Sequence, residues 1–380
     1  MSAGTLPPEA RKILSDLPAL IKKTFPIPER FRNVLPSDIA ELSRLLTNKR
    51  GDRSLSYLGR PNFLSAYLHY FLPWNLYRLC LLIPHIDLCL SPHDTITDIG
   101  CGPLTFASAL WIARPDLRNI PLEFFCIDRS STALDAGKKF FAALIKEESR
   151  WNIHLVRQDI DVRQANVIRK IRPASLVCAV NMFNETYETL PHNKIEGLRR
   201  MAVKAAQLLR NLSSDDAFIL TVEPGVPQSG RFISFLRASL LELGRPPVSP
   251  CPHTLPCPLT KKRWCHFAFE TSEAPEELQR LSAAAGLPKE RLVFSFLLAA
   301  AENFASAAKT REEKTRVISD IFPLPDNRYG RYGCGAQGLV LLAGEKSRME
   351  KTASISLVTP IFAAGRQRDK KSGALIAEVQ

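Results

Sequence analysis

Apolar positions change rhythm along this chain. Up to about residue 90 they recur at helical spacing, with prolines punctuating the helices. SDIAELSRLLTNK opens on Ser37 and Asp38, a good cap, and then keeps that spacing. YLGRPNFLSAYLHYFLPWNLYRLCLLI follows, and its aromatic stripe reads as packing against whatever comes next. From residue 95 short apolar runs alternate with helical stretches. Strands are predicted at 95–100, 122–128, 152–159, 175–181 and 217–224, with helices at 105–114, 131–148, 192–210 and 231–244. This alternation predicts an α/β fold, a doubly wound parallel sheet covered by helices on both faces. Late strands are predicted at 292–301 and 338–344. The organisation expected is an N-terminal helical region over 1–90, an α/β core over 91–245, a cysteine-rich loop with the final strands of the sheet over 246–344, and a basic tail over 345–380. The tail holds a short strand, SISLVTPI, and an end, GRQRDKKSG, that reads as flexible.

Charge adds a partner to this outline. Lys and Arg number 51 against 38 Asp and Glu, a net +13 over 380 residues. Such an excess favours a polyanion, nucleic acid first, although solubility alone would also account for it. The opening MSAGTLPPEARKILSDLPAL lacks the charged and apolar regions of a secretory signal, and Glu9 and Asp16 are unlike a mitochondrial presequence. The longest apolar candidate, LYRLCLLIPHIDLCL, is broken by Arg78, Pro84, His85 and Asp87, short of the roughly 20 residues a bilayer requires. A soluble protein without membrane contact is expected. Its nine cysteines, an odd number, argue for a reducing compartment; Cys80, Cys126 and Cys178 lie in apolar runs and read as core.

DIGCGPLT, residues 98–105, stands between the first strand and its helix. Ligands of doubly wound sheets bind at the carboxyl ends of strands. Gly100 and Gly102 permit a tight turn and a close approach, Asp128 ends the second strand where a carboxylate can accept from ribose hydroxyls, and Asp159 ends the third. In these residues the chain resembles the class I, S-adenosylmethionine-dependent methyltransferases, with their Rossmann-like core. The resemblance implies Asp98, Gly100 and Gly102 at the methionine end of S-adenosyl-L-methionine, Asp128 at the ribose and Asp159 at the adenine. Leu104 stands where that family often has a third glycine, and it is expected to narrow the space. A retained fold with an empty pocket is the alternative. A nicotinamide dehydrogenase is disfavoured, because the G-x-G-x-x-G spacing is incomplete.

Methyl transfer depends largely on alignment, with a base needed only where the acceptor must lose a proton. NMFNETYETL places Asn181, Asn184, Glu185 and Tyr187 at the mouth of the fourth strand. Asn184 and Glu185 are the candidates for catalytic contact with the acceptor; capping the next helix is the plain alternative. The Asn/Asp-Pro-Pro-aromatic signature of many amino-group methyltransferases is absent. Glu223-Pro224-Gly225 closes the fifth strand, either shaping this mouth or ending the strand.

The remaining chemistry lies in SPCPHTLPCPLTKKRWCHF, residues 249–267. Cys251 and Cys257 enclose five residues, Cys257 and Cys265 seven, and Cys334 follows among glycines. Zinc knuckles pair their ligands more tightly. Cys-Pro recurs beside iron–sulfur ligands, so a cluster held by four thiolates leads, ahead of zinc with His253 or His266 as substitutes and of no metal. CPHxxxCP, WCHF and a lone cysteine before a late strand resemble the methyltransferase-like proteins of the mitochondrial small ribosomal subunit and their bacterial relatives, over about Pro61 to Gly344. That resemblance implies a 4Fe-4S cluster on Cys251, Cys257, Cys265 and Cys334, and the small ribosomal subunit and its rRNA as partners. It also gives Lys261, Lys262, Arg263 and Trp264 a role in binding RNA phosphates and a stacked base; a solvated charge run is the alternative. A cytoplasmic bacterial protein is expected, or a mitochondrial matrix one in a eukaryote, monomeric apart from the ribosome. Two functions follow: methylation of an rRNA base, or non-catalytic subunit assembly on a retained fold. A zinc-stabilised methyltransferase with a non-RNA acceptor is the third.

Overall fold

The structure, a computed structural model, describes residues 5–47, 57–145, 149–162, 171–186, 194–259, 263–305, 313–363, 365 and 367–379. Its strands are β1 (Thr95–Ile99), β2 (Leu122–Asp128), β3 (Trp151–Arg157), β4 (Ala174–Val180), β5 (Ser213–Pro224), β6 (Pro247–Ser249), β7 (Phe267–Glu270) and β8 (Arg291–Ala300). Together these form one mixed sheet in the order β3-β2-β1-β4-β5-β8-β6, with β7 also on β8. β1 to β5 run parallel, and β8 turns back antiparallel beside β5. The crossover helices are Thr105–Ala113, Ser131–Ile145, Lys194–Leu212 and Pro227–Glu242. Chain order reverses between β1 and β4, and that reversal opens a crevice beyond their carboxyl ends.

Every residue of TFASALWIA in the helix Thr105–Ala113 is buried, an all-round burial that a two-layer arrangement would not give. A third layer supplies it: the helices Pro8–Thr24 and Leu72–Leu82 pack over it. The aromatic stripe belongs to that layer. Tyr70, Trp74 and Tyr77 are buried, Trp74 Nε1 donates to Ser282 Oγ at 3.1 Å, and the Tyr70 hydroxyl donates to Leu287 O at 3.2 Å. Cys80, Cys126 and Cys178 are buried as expected.

The carboxyl-terminal part differs from the sequence expectation. Short strands β9 (Thr315–Val317), β10 (Phe322–Pro323), β11 (Tyr329–Gly335), β12 (Gly338–Gly344), β13 (Leu357–Val358), β14 (Pro360–Phe362) and β15 (Leu375–Val379) form a second sheet, ordered β13-β9-β11-β12-β15-β14 with β10 on β11. Gly338–Gly344 was expected to finish the first sheet; it pairs instead with β11 and β15 of the second. The tail is not a free end either. Its last strand alternates buried and open positions against β12, and a hydrogen-bonded turn closes from Asp369 to Ala374. Among the described residues no helix is long and apolar enough to cross a membrane.

Candidate functional site

Beyond the strand ends lies a cavity of about 800 Å³, lined by Gly100, Gly102, Asp128, Asp159, Asn184 and Glu185 among others. The turn after β1 is a folded device rather than a simple gap. Gly100 and Gly102 have φ of 67° and 54°, where a side chain would be strained. A Cβ on Gly100 would meet Met182 Cγ at 2.6 Å, so Met182 already covers that glycine. A Cβ on Gly102 would meet only the Tyr67 hydroxyl, at 3.9 Å, and this is where the backbone lies open to a ligand. Asp128 braces the turn: one oxygen accepts from Gly102 N at 2.9 Å, the other from Ser130 N at 2.8 Å. Burial nonetheless holds its carboxyl above the usual range, against the pull of those two bonds.

Asp98 is 1% exposed, and among the described residues no N–H or O–H reaches either oxygen; the weakly donating Cys178 thiol is its one polar neighbour. Burial pushes its carboxyl up to about 8, with only the Cys178 thiol favouring the anion. An unsatisfied buried acid is costly, and beside an open glycine turn it marks a place made for a donor that comes from outside. Asp98 lines a small recess with Tyr67, Asn75, Gly100, Gly102 and Asn181.

Leu104 corrects the expectation of a narrowed pocket. It does sit in the left-handed region, at φ 55°, where glycine would be easy. Its side chain, however, is fully buried and turned away from the cavity, against the helix Ser131–Ile145. That helix makes room by carrying Gly137, where a Cβ would strike Leu104 Cγ at 2.7 Å and Pro103 C at 2.6 Å. The glycine missing from the turn reappears on its neighbour.

After β4 the chain makes a short 3-10 turn over Phe183–Glu185. Glu223, fully buried at the end of β5, holds it: its carboxylate accepts from Phe183 N at 2.8 Å and Asn184 N at 3.0 Å. Glu223 therefore positions the mouth. Asn184 is buried at the cavity wall, and Glu185 pairs with Arg129 at 3.5 Å. Asp159 lies exposed on the rim, and Tyr187 falls outside the described residues.

One wall of this cavity was not foreseen. Tyr67, Phe71, Asn75 and Arg78 line it from the N-terminal layer, and Lys289 from the turn before β8. Tyr67–Phe71 is a π-helical turn, a local irregularity that recurs at functional sites and has no signature in apolar spacing. Asn75 Oδ1 accepts from Arg78 Nη1 at 3.2 Å and from Asn181 Nδ2 at 3.3 Å, tying this wall to the end of β4. The one sequence sign was the charge of Arg78 inside the run LYRLCLLI.

The cysteine loop lies between β6 and β7, at the junction of the two sheets. Two buried arginines hold its backbone, one from each side. Arg237, on the helix Pro227–Glu242, donates to His253 O at 2.7 Å and Leu255 O at 2.8 Å. Arg316, in β9, donates to Pro250 O at 2.8 Å and to Ile355 O. Cys334 pairs with Arg316 in the second sheet, and its flanking glycines allow the close approach: a Cβ on Gly333 would meet Thr315 Cγ2 at 2.2 Å. Burial raises the thiols of Cys251, Cys265 and Cys334, and the neighbouring thiols, Cys257 included, raise them further. The guanidinium of Arg316 opposes this at all three. The four expected ligands therefore share one electrostatic neighbourhood, with His253 Nε2 3.4 Å from Cys334 Sγ. Even so, among the described residues no three His, Cys, Asp or Glu are so grouped that they could hold a metal ion.

Of the expected RNA-contacting residues, Lys261 and Lys262 lie outside the described residues. Trp264 is no free stacking face. Its Nε1 donates to Gly225 O at 3.0 Å, its ring stacks on His266 at 5.1 Å, and it fills the space above Gly230, where a Cβ would meet it at 2.6 Å. Arg263 is exposed, and both its terminal nitrogens donate to Ser372 O at 3.2 Å, joining this loop to the tail.

A family model described as mitochondrial small ribosomal subunit Rsm22 matches residues 91–322. A comparison with curated proteins finds no match. Among solved structures, the chain is similar to precorrin-6y C5,15-methyltransferase from Geobacter metallireducens, at 11% identity over 60% of this chain and 87% of that one, TM-score 0.33. It is also similar to the cyclopropane synthase MmaA2 from Mycobacterium tuberculosis, at 12% identity over 72% of this chain and 99% of that one, TM-score 0.33. At these scores neither likeness carries an argument about this chain.

Proposed function

The chain belongs to the family described as mitochondrial small ribosomal subunit Rsm22, and from that premise we propose that it is a methyltransferase-like protein that binds S-adenosyl-L-methionine and acts on the small ribosomal subunit or its rRNA. The observation that carries the cofactor is Asp98, a buried carboxyl with only a thiol for a partner beside the open face of Gly102. Asp98, Gly100 and Gly102 would hold the methionine end, Asp128 the ribose and Asp159 the adenine. The bound cofactor would supply an electrophilic methyl group. The chain's own part is positioning: Glu223 fixes the Phe183–Glu185 turn, and Asn184 and Glu185 face the acceptor from it. Its compartment would follow its ribosome, mitochondrial matrix in a eukaryote or cytoplasm in a bacterium.

Assembly without catalysis is the second reading. It is favoured by the pairing of Glu185 with Arg129, which ties up the nearest candidate base. Incubation of small subunits with methyl-labelled S-adenosylmethionine separates the two. Label in rRNA supports the enzyme; tight binding of both cofactor and subunit without label supports the assembly factor. Failure to bind either removes the family reading of the site.

We also assign a 4Fe-4S cluster, in preference to zinc, to Cys251, Cys257, Cys265 and Cys334. The support is the donor set: four thiols in one partly buried neighbourhood with the cations Arg237 and Arg316 beside them. Anaerobic purification with iron, sulfide and zinc assays on wild type and Cys257→Ser tests it. About four irons and four sulfides, lost in the variant, are expected of a thiolate-held cubane; stoichiometric zinc without iron would overturn it.

A further inference from the structure

Two cations on the cavity wall have no acid to answer them. Arg78 comes from the helix Leu72–Leu82 and Lys289 from the turn leading into β8. The Arg78 guanidinium donates through Nη1 to Asn75, while its Nε has no partner. The Lys289 ammonium lies 5.7 Å from the centre of the Tyr70 ring. Among the described residues neither forms an ion pair. Burial draws Arg78 down to about 10 and Lys289 to about 8, and the charge of Arg78 disfavours the protonated form of Lys289 further. Of the acids that line the same cavity, Asp128 is engaged with the turn amides and Glu185 with Arg129, and Asp159 and Asp161 follow β3; none of them pairs with Arg78 or Lys289 among the described residues. Two like charges on one partly desolvated wall are costly until a ligand brings the opposite sign.

The position of the pair says which ligand. The cofactor's methionine end is assigned to the recess of Asp98, which neither Arg78 nor Lys289 lines. Both line the larger cavity, which reaches from the glycine turn to Pro224 at the end of β5, Val226 beyond it and the 3-10 turn after β4, the residues proposed for the acceptor. A cofactor carboxylate needs one cation. A nucleic-acid strand brings a charge with each nucleotide and so can answer both, with the guanidinium fork and the ammonium each suited to phosphate oxygens. We propose that Arg78 and Lys289 hold backbone phosphate of the RNA strand whose acceptor base enters beside Asn184. This rests on the rRNA reading above and adds where the strand is held.

The test measures two ligands on the same full-length variants. A short fluorescein-labelled single-stranded RNA is titrated at several salt concentrations, and S-adenosylhomocysteine is titrated by calorimetry. Lys289→Gln is expected to weaken RNA binding about tenfold and to lower the salt slope by about 0.7, as one lost phosphate contact would. Lys289→Arg should restore both, Arg78→Gln should repeat the loss, and homocysteine-product binding should not move. Lys289→Gln, half-exposed, carries the test should Arg78→Gln unfold. Unchanged RNA affinity and slope in Lys289→Gln, with wild type binding well, would sink the phosphate assignment and leave the family reading intact. Weakened S-adenosylhomocysteine with intact RNA binding would give the pair to the cofactor and overturn it equally. Wild type that binds cofactor but no RNA would remove the rRNA reading and this inference with it.

Discussion

The glycine turn and the cysteine loop are built on opposite principles. The turn is contiguous, residues 98–105 within one strand-to-helix unit, and its bracing comes from the next unit along: Asp128 on β2, Gly137 on the following helix. The loop has no such self-sufficiency. Arg237 holds it from the helix Pro227–Glu242, packed on the first sheet, and Arg316 from the second sheet, and its fourth cysteine arrives on β11. A site braced by the adjoining unit is insulated from damage in the second sheet, whereas a site at a junction depends on both of its neighbours.

Arg316→Ala should produce the largest effect. It leaves the carbonyls of Pro250 and Ile355 buried without a donor, at a cost of about 3 kcal/mol or more by chemical denaturation. Labelling of Cys251, Cys257 and Cys265 should quicken in the folded, metal-free protein, while S-adenosylhomocysteine affinity should hold. Equal loss at both sites would erase the contrast. Gly137→Ala is the reverse experiment. Its Cβ would press on Pro103 and Leu104, costing about 2 kcal/mol by overpacking. Here cofactor affinity should fall and thiol labelling should not change.

Asp98 gives the turn its own pH dependence. Its folded carboxyl sits at about 8, above the unfolded value of about 3.9. The folded state therefore keeps a proton that the unfolded state releases. Its contribution is complete below about pH 4 and is lost as pH rises to about 8, at up to about 1.4 kcal/mol per unit. Denaturation of the ligand-free protein across that range should show the decline, and Asp98→Asn should flatten it. A decline of equal slope in Asp98→Asn would move the titration to another group. The smallest effect expected is that of Trp264→Phe, about 1 kcal/mol for the bond to Gly225. Its RNA affinity should equal wild type; a clear loss would restore Trp264 as a stacking face.

Much of the first sheet was legible because its signals are local. Leu122–Asp128 is a strand at the residues its apolar run marks, and Thr105–Ala113 a helix one residue shorter than expected. The turn between β1 and its helix was recognisable from Asp98, Gly100 and Gly102. Leu104 was misjudged, because a departure from glycine says nothing about where the side chain goes, and its answer stands at Gly137. Trp264 shows the same limit: an aromatic beside three cations reads as a nucleic-acid surface, and nothing near it in sequence tells of Gly230, which makes room for its ring.

Period and turn chemistry reach only as far as neighbouring residues along the chain, and within that reach the residues alone specify β1 to β5, their helices and the acid–glycine turn. Assembly settled the rest. The second sheet uses strands as short as Phe322–Pro323, too brief to show a period, and pairs β12 with β15 across an intervening helix. Asn75 and Asn181 meet across 106 positions, and Lys289 joins Arg78 from the far end of the core. Such meetings follow from which faces must be buried together, and the free energy of burial leaves no mark in the order of residues to say which distant partner will share it.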